Sequence, residues 1–267
     1  MAGGSAGRPE RPVALVTGAS SGIGGSIARV AAREGYDLVV VARSEEALTQ
    51  LAVEVCRHHG VDTEVLVADL ADPEGIGAVE RRLAQADRPV DVLVNNAGVG
   101  SGGAFVELDI DGEVAQIDLN VTALVRLTHA ALPGMVARQK GGIINVGSLG
   151  SFQPAAYNAT YSATKAFVLS FTEAVHEEVR SSGVRVSCLC PGFTHTGFQA
   201  TSGMYGSSLP DVVWQTASQV AEAAWSGLER NQAVVVPGVV NKATVVGVRL
   251  LPRSIVRKVS GYVAKRL

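Results

Sequence analysis

In the stretch ATYSATKAF (159–167), Tyr161 and Lys165 stand four residues apart. On a helix that spacing puts both side chains on one face. A free phenol has a pKa of about 10 and is roughly one part in a thousand ionised at neutral pH. An ammonium beside it favours the anion and lowers that value. A phenol so tuned can give a proton to a carbonyl oxygen or take one from an alcohol. Two residues at helical spacing also arise by accident, so the assignment depends on what surrounds them.

The elements that must position them are seven short apolar runs separated by longer helical stretches. VALVTG (13–18), DLVVVA (37–42), TEVLVA (63–68), DVLVNN (91–96), GIINVG (142–147), VRVSCLC (184–190) and AVVVP (233–237) are the predicted strands. Their continuous Val/Ile/Leu character, without polar alternation, marks strands covered on both faces. Between them lie helical patterns such as GSIARVAAREG (25–35), EEALTQLAVEVCRHHG (45–60) and ATKAFVLSFTEAVHEEVRSSG (163–183). Strand–helix alternation implies right-handed crossovers and an α/β fold with a doubly wound parallel sheet. No repeat or composition break divides the chain, so one domain is expected at 12–238. It is preceded by a leader at 1–11 and followed by a basic amphipathic extension at 239–267.

The bulk numbers narrow the function. With 267 residues and 47% hydrophobic content the chain can bury a substantial core. A net charge of −2 argues against a nucleic-acid binder. Cys56, Cys188 and Cys190 are too few for a disulfide framework, and Cys188 and Cys190, alternating along a strand, read as small buried thiols. No metal site is expected. The first twelve residues lack an apolar signal-peptide core, and no run of 18 apolar residues occurs, so a soluble cytoplasmic protein is expected.

A phosphate cradle opens the chain. Gly18, Gly22 and Gly24 fall as G-x-x-x-G-x-G between the first strand and the first helix. Glycines there allow a tight turn and close backbone approach to a pyrophosphate. The new helix aims its free N–H groups and positive dipole end at that anion. Ser20 and Ser21 add hydroxyl donors.

TGASSGIG (17–24), NNAG (95–98), Asn120, Ser148, YSATK (161–165) and PG (191–192) come in the order and spacing of the short-chain dehydrogenase/reductase family. The chain resembles that family from about residue 12 to 238. The resemblance implies a Rossmann-type, seven-stranded sheet in order 3-2-1-4-5-6-7 with helices on both faces. It also implies a nicotinamide cofactor and hydride transfer to or from a carbonyl or alcohol carbon. Ile23 would join the cradle, Asp69 would contact the adenine through its side chain and Leu70 through its backbone. Asn96, Ala97 and Gly98 would pack against the adenine ribose. Tyr161 would be the general acid/base, and Lys165 would in addition bond the nicotinamide ribose. Ser148 would donate to the substrate oxygen, and the Asn120 carbonyl would anchor a water linking Lys165 to solvent. Pro191 and Gly192 would turn the chain over the nicotinamide, whose carboxamide the backbone around Thr194 and the Thr196 hydroxyl would hold. The family has no role for His195, which reads as a solvent-facing loop residue.

NADP(H) is favoured over NAD(H). Ala42 stands where NAD-preferring relatives carry an Asp that accepts the ribose hydroxyls. Arg43, next in sequence, offers a planar fork of donors to a 2′-phosphate, and Ser44 a hydroxyl.

The substrate side is thinner. Residues 193–214 form a Gly/Ser-rich connection of the kind that serves as a lid, with Phe193, Phe198, Met204, Tyr205, Leu209 and Trp214 along it. Phe105, Phe152 and Tyr157 would face it. These stretches hold no Arg or Lys, which favours a lipophilic carbonyl or secondary alcohol. Residues 241–267 carry seven cations and no acid, with Ile255, Val256, Val259, Tyr262 and Val263 on one helical face. Such a segment either touches an anionic membrane or packs on its own domain or a second subunit. A homodimer or homotetramer through the helices bearing Asn120 and Tyr161 is expected. A non-catalytic NADP(H) sensor and a membrane-docked scaffold are the rival readings. The first leaves the complete Ser148–Tyr161–Lys165 set without purpose, and the second leaves the cradle unexplained.

Overall fold

A computed structural model describes residues 11–198 and 211–264. The strands of its main sheet are β1 (Val13–Thr17), β2 (Asp37–Ala42), β3 (Thr63–Val67), β4 (Val90–Asn95), β5 (Gly141–Val146), β6 (Val184–Leu189) and β7 (Val234–Val235), and Thr194–His195 pairs with Gln215–Thr216 in a separate two-stranded ribbon. The main sheet runs in the order β3-β2-β1-β4-β5-β6-β7, every pair parallel. Both the seven runs and the strand order agree with the expectation from sequence. The order reverses between β1 and β4, and the crevice this leaves at the strands' carboxyl ends is where doubly wound folds bind ligands.

Successive strand residues feed opposite layers, which is why the runs are apolar throughout. Ala14 and Val16 join a core with Ile27, Leu48 and Trp225 from α1 (Gly22–Arg33), α2 (Glu45–His59) and α7 (Ala217–Glu229). Val13 and Leu15 join the opposite core with Val79, Leu127 and Val175 from α3 (Pro73–Leu83), α5 (Leu124–Ala137) and α6 (Ala159–Glu178). Trp225 meets the Tyr36 ring edge-on at 5.0 Å.

Local chemistry sets the helix ends. Ser44 accepts a hydrogen bond from Ala47 N and Asp72 from Glu74 N, so each side chain caps the helix it precedes. Thr216 and Gln219 close α7 with reciprocal cap bonds. Gly60 ends α2 in the left-handed region at φ 64°. Helix α4 (Ile110–Ile117) continues into α5 through a π-helical turn at 118–123. An inserted residue of this kind re-aims the side chains on either side of it, and Asn120 lies inside it.

Beyond β7, α8 (Val239–Leu250) and α9 (Arg253–Ala264) carry the basic segment. Helix α8 is no appendage, because its Val245 is buried and Val240, Thr244 and Val248 line the cleft. Among the described residues no helix is long and apolar enough to cross a membrane.

Candidate active site

One cleft of about 1450 Å³ runs along the carboxyl ends of the strands. Except for Asn120 and Gly24, every residue predicted for catalysis or cofactor binding lines it.

Its first wall is the β1–α1 turn. Gly18 has φ +63°, a conformation that favours glycine, and a Cβ there would stand 2.7 Å from Asn96 Nδ2. At Gly24 an added Cβ would collide with Gly18 O and Asn96 Nδ2, so the helix meets the turn closely enough to exclude any side chain. Ser21 precedes α1 without making a side-chain cap bond, which leaves the first N–H groups of α1 to serve an anion. This bare turn, at the positive end of the α1 dipole, fits a dinucleotide pyrophosphate.

Thr17 ties that turn to its neighbour. Its Oγ1 accepts from Asn96 N and Ala97 N, both at 3.0 Å, and lies 3.2 Å from Val94 O, to which it donates. Asn96 Nδ2 returns the contact to Thr17 O and Gly18 O. Sequence reasoning named Asn96 and missed Thr17, although a small hydroxyl ending the first strand was the available signal.

At the far end Arg43 and Asp69 face one another, Nη1 to Oδ2 3.9 Å, with Arg43 well exposed. A pair so open to water contributes little by itself. Asp69 Oδ1 also accepts from Ala71 N at 3.0 Å, so it does the turn work considered for it from sequence. The cap bond occupies a lone pair of Ser44 Oγ and leaves its proton available.

The catalytic candidates converge on the cleft floor. Ser148 follows β5, and its Oγ accepts from Gly150 N at 3.0 Å. Ser151 Oγ accepts from Ser148 N and donates to Lys165 O, joining this turn to α6. Tyr161 and Lys165 lie on α6 as the spacing requires, with Nζ 5.8 Å from the centre of the phenol ring. Lys165 is buried and donates to Val146 O at 2.8 Å. Asn120 Oδ1 accepts from Val99 N, while its Nδ2 donates to Val99 O and to Thr164 Oγ1. Its side chain thus clamps the loop after β4 to α6, one residue before Lys165. Ser151 and Thr164 were not foreseen, since in sequence they are ordinary small polar residues.

The electrostatics differ from the expected tuning. Tyr161 is half-buried at the cleft, and loss of water raises its pKa above the usual 10; a hydrogen bond with Ser148 acts the other way, and Cys190 raises it further. Burial lowers Lys165 to about 8, against upward contributions from Cys188 and Cys190. The ammonium is directed at a backbone carbonyl and not at the phenol oxygen. The phenol is therefore held protonated, which is the form that donates.

Residues 191–198, expected from sequence to cover the nicotinamide, form one wall of the cleft. A Cβ on Gly22 would meet Thr196 Cγ2 at 3.2 Å, so this segment reaches back to the glycine turn. Thr194 is buried and its Oγ1 donates to Gly192 O. Asn241, missed from sequence, packs against Gly192 and donates to Pro237 O and Gln215 Oε1. His195 is exposed as expected, but its ring stacks on Trp214 at 4.6 Å in a two-residue strand.

On the substrate side Phe152, Tyr157, Phe193 and Phe198 line the cleft, with Phe198 5.6 Å from the Tyr161 ring. Phe105 is exposed and Trp214 packs on Phe193 and His195, so neither lines it. Met204, Tyr205 and Leu209 lie outside the described residues. Arg249 of α8 rests over the Phe152 ring at 5.2 Å, a cation at the rim that the three apolar stretches gave no sign of.

The Lys165 pKa has a consequence for stability. A group lowered on folding binds fewer protons in the native state between pH 8 and 10.5, so stability rises with pH across that window. Tyr161, raised on folding, opposes this only above about pH 10. Melting temperatures followed from pH 7 to about 10 should climb in the wild-type protein relative to Lys165→Met. Parallel profiles for the two proteins would contradict the assignment.

The family model for short chain dehydrogenase matches residues 12–204. A protein of Streptomyces violaceoruber named as ketoacyl reductase 1 of the granaticin polyketide synthase is 41% identical over 192 residues, 71% of this chain and 70% of that one. A short-chain dehydrogenase from Sphingobium yanoikuyae, solved with NADPH, is 37% identical with a TM-score of 0.81, over 89% of this chain and 93% of that one. A bulky-bulky ketone specific alcohol dehydrogenase from Comamonas testosteroni is 32% identical with a TM-score of 0.77, over 91% and 96%. The chain belongs to the short-chain dehydrogenase/reductase family and is an NAD(P)-dependent oxidoreductase acting on CH–OH and C=O groups.

Proposed function

We propose that the enzyme transfers hydride between NADP(H) and a bulky lipophilic carbonyl or secondary alcohol, with Tyr161 as the proton donor or acceptor. The observation that carries this reading is the convergence of Ser148, Tyr161 and Lys165 on one cleft, with Lys165 Nζ 5.8 Å from the centre of the Tyr161 ring. Gly18, Ser20, Ser21, Gly22, Ile23 and the start of α1 hold the pyrophosphate. Arg43 and Ser44 take the 2′-phosphate, Asp69 and Leu70 the adenine, and Asn96, Ala97 and Gly98 the ribose. Thr194, Thr196 and the turn at Pro191–Gly192 orient the nicotinamide, which supplies or accepts the hydride when bound.

In the reducing direction the protonated phenol of Tyr161 gives H⁺ to the substrate oxygen, which Ser148 holds by a second hydrogen bond. Lys165, its pKa lowered to about 8 by burial, can exchange a proton near neutral pH and so feed a relay back to the phenol through an intervening hydroxyl or water. Asn120 keeps the Val99 loop and α6 in register while this happens. The apolar lining from Phe152, Tyr157, Phe193 and Phe198 supports a lipophilic substrate, as does the similarity to the ketoacyl reductase and the bulky-ketone alcohol dehydrogenase.

A homo-oligomer through α4 and α6 is part of the same reading. Ile110, Val114 and Ile117 form an exposed stripe at helical spacing on α4, and Phe167 is exposed on α6.

Tyr161→Phe keeps the ring and removes the proton. It should lower kcat by about 10²–10⁴-fold while the NADPH Kd stays unchanged, and near-normal turnover would refute the role. Arg43→Ala removes charge-assisted bonds and should weaken NADPH binding by about ten- to a hundredfold with little effect on NADH. Equal losses for both cofactors would reject the phosphate assignment. Sedimentation velocity of Val114→Glu/Phe167→Glu should show a smaller species than the wild-type protein. An unchanged sedimentation coefficient would rule out this interface.

A further inference from the structure

Helix α8 has two apolar faces where a wall of the cleft needs one. Val240, Thr244 and Val248 line the cleft and Val245 is buried. On the outer side Val239, Val246 and Leu250 recur at helical spacing and are 82%, 58% and 79% exposed. Helix α9 repeats the pattern after the corner at Leu251. Its Val256 is buried, whereas Ile255, Val259 and Tyr262, at i, i+4 and i+7, are exposed. Water opposes exposed apolar stripes of this kind, so they mark places of contact.

Charge selects the occupant. Lys242 stands four residues before Val246 and so borders the α8 stripe; Lys258, between Ile255 and Tyr262, borders that of α9. Residues 241–267 hold seven cations and no acid, while residues 1–240 carry a net −9. A second copy seated here about a two-fold axis would present the same cations to itself. An anionic bilayer meets both demands, taking the apolar stripes into its headgroup boundary and the cations at its phosphates. The acidic remainder of the molecule is repelled by that surface, which leaves one orientation.

We propose that the outer faces of α8 and α9 dock this protein on an anionic phospholipid surface. The docking stands independently of the catalytic reading. Because the inner face of α8 lines the cleft, docking sets the cleft one helix diameter, about 10 Å, from the lipid. For the lipophilic substrate proposed above, the bilayer becomes the reservoir from which the site fills.

The test uses the full chain with sedimenting vesicles of phosphatidylcholine alone or with about one-third phosphatidylserine. The wild-type protein should pellet with the anionic vesicles and stay in solution with the neutral ones. Each cation near the surface is worth about fivefold in partitioning, so Lys242→Gln/Lys258→Gln should bind about twenty-five-fold more weakly. Val246→Asp/Leu250→Asp should abolish binding, and retained NADPH affinity in both variants would show them folded. A wild-type protein that ignores anionic vesicles, or folded variants that bind as well as it does, would overturn the proposal. So would an oligomer that Val246→Asp/Leu250→Asp dissociates in the absence of vesicle binding, since the face would then be a subunit contact.

Discussion

The site depends on how the chain holds β1 and β4 together at the point where the strand order reverses. Thr17 accepts two backbone N–H groups from the β4 turn, and Asn96 answers through two carbonyls of the β1 turn. Unsatisfied, each buried amide would cost about 1–3 kcal/mol, so these reciprocal bonds fix the spacing of the two turns. The glycines then follow as a steric consequence. Gly18 and Gly24 sit where Asn96 Nδ2 leaves no space for a Cβ, so the same asparagine that joins the strands also enforces the bare backbone of the cradle.

A second layer of buried hydrogen bonds carries this rigidity across the sheet. Asn95 Nδ2 donates to Thr128 Oγ1 and Asn145 Oδ1, and Asn145 Nδ2 to Thr172 Oγ1, linking β4, β5, α5 and α6 under the cleft. The π-helical turn places Asn120 where it reaches both Val99 and Thr164. Lys165 is thereby held from two sides, by its own bond to Val146 O and by the Ser151 bond to its carbonyl. Its burial is what lowers its pKa toward the range in which proton exchange at neutral pH is practical. The phenol four residues earlier also loses water, with the opposite charge, so burial favours the neutral form of both groups.

Helix α8 links the cleft to the outside. Asn241 packs its first turn against Gly192 in the cleft wall at 191–198, and Arg249 near its last turn rests on Phe152. A single helix thus touches the cleft at both Gly192 and Phe152 while carrying an exposed apolar stripe on its outer side.

Sequence alone determined the strands, their parallel order through the family resemblance, the glycine turn and the Tyr161–Lys165 face, because each is a local pattern. Continuous apolar runs follow from two-sided burial, and an i, i+4 pair must share a helix face wherever that helix lies. Tertiary structure decided what depends on distant neighbours. Thr17, Ser151, Thr164 and Asn241 are unremarkable in the chain and matter only through partners between 14 and 80 residues away or packed across the cleft. The direction of the Tyr161 shift was likewise hidden, since spacing tells that an ammonium is on the same face but not that a carbonyl claims it. The basic tail was legible as amphipathic, but not that its first helix walls the cleft, because one periodicity serves an inward and an outward face equally well.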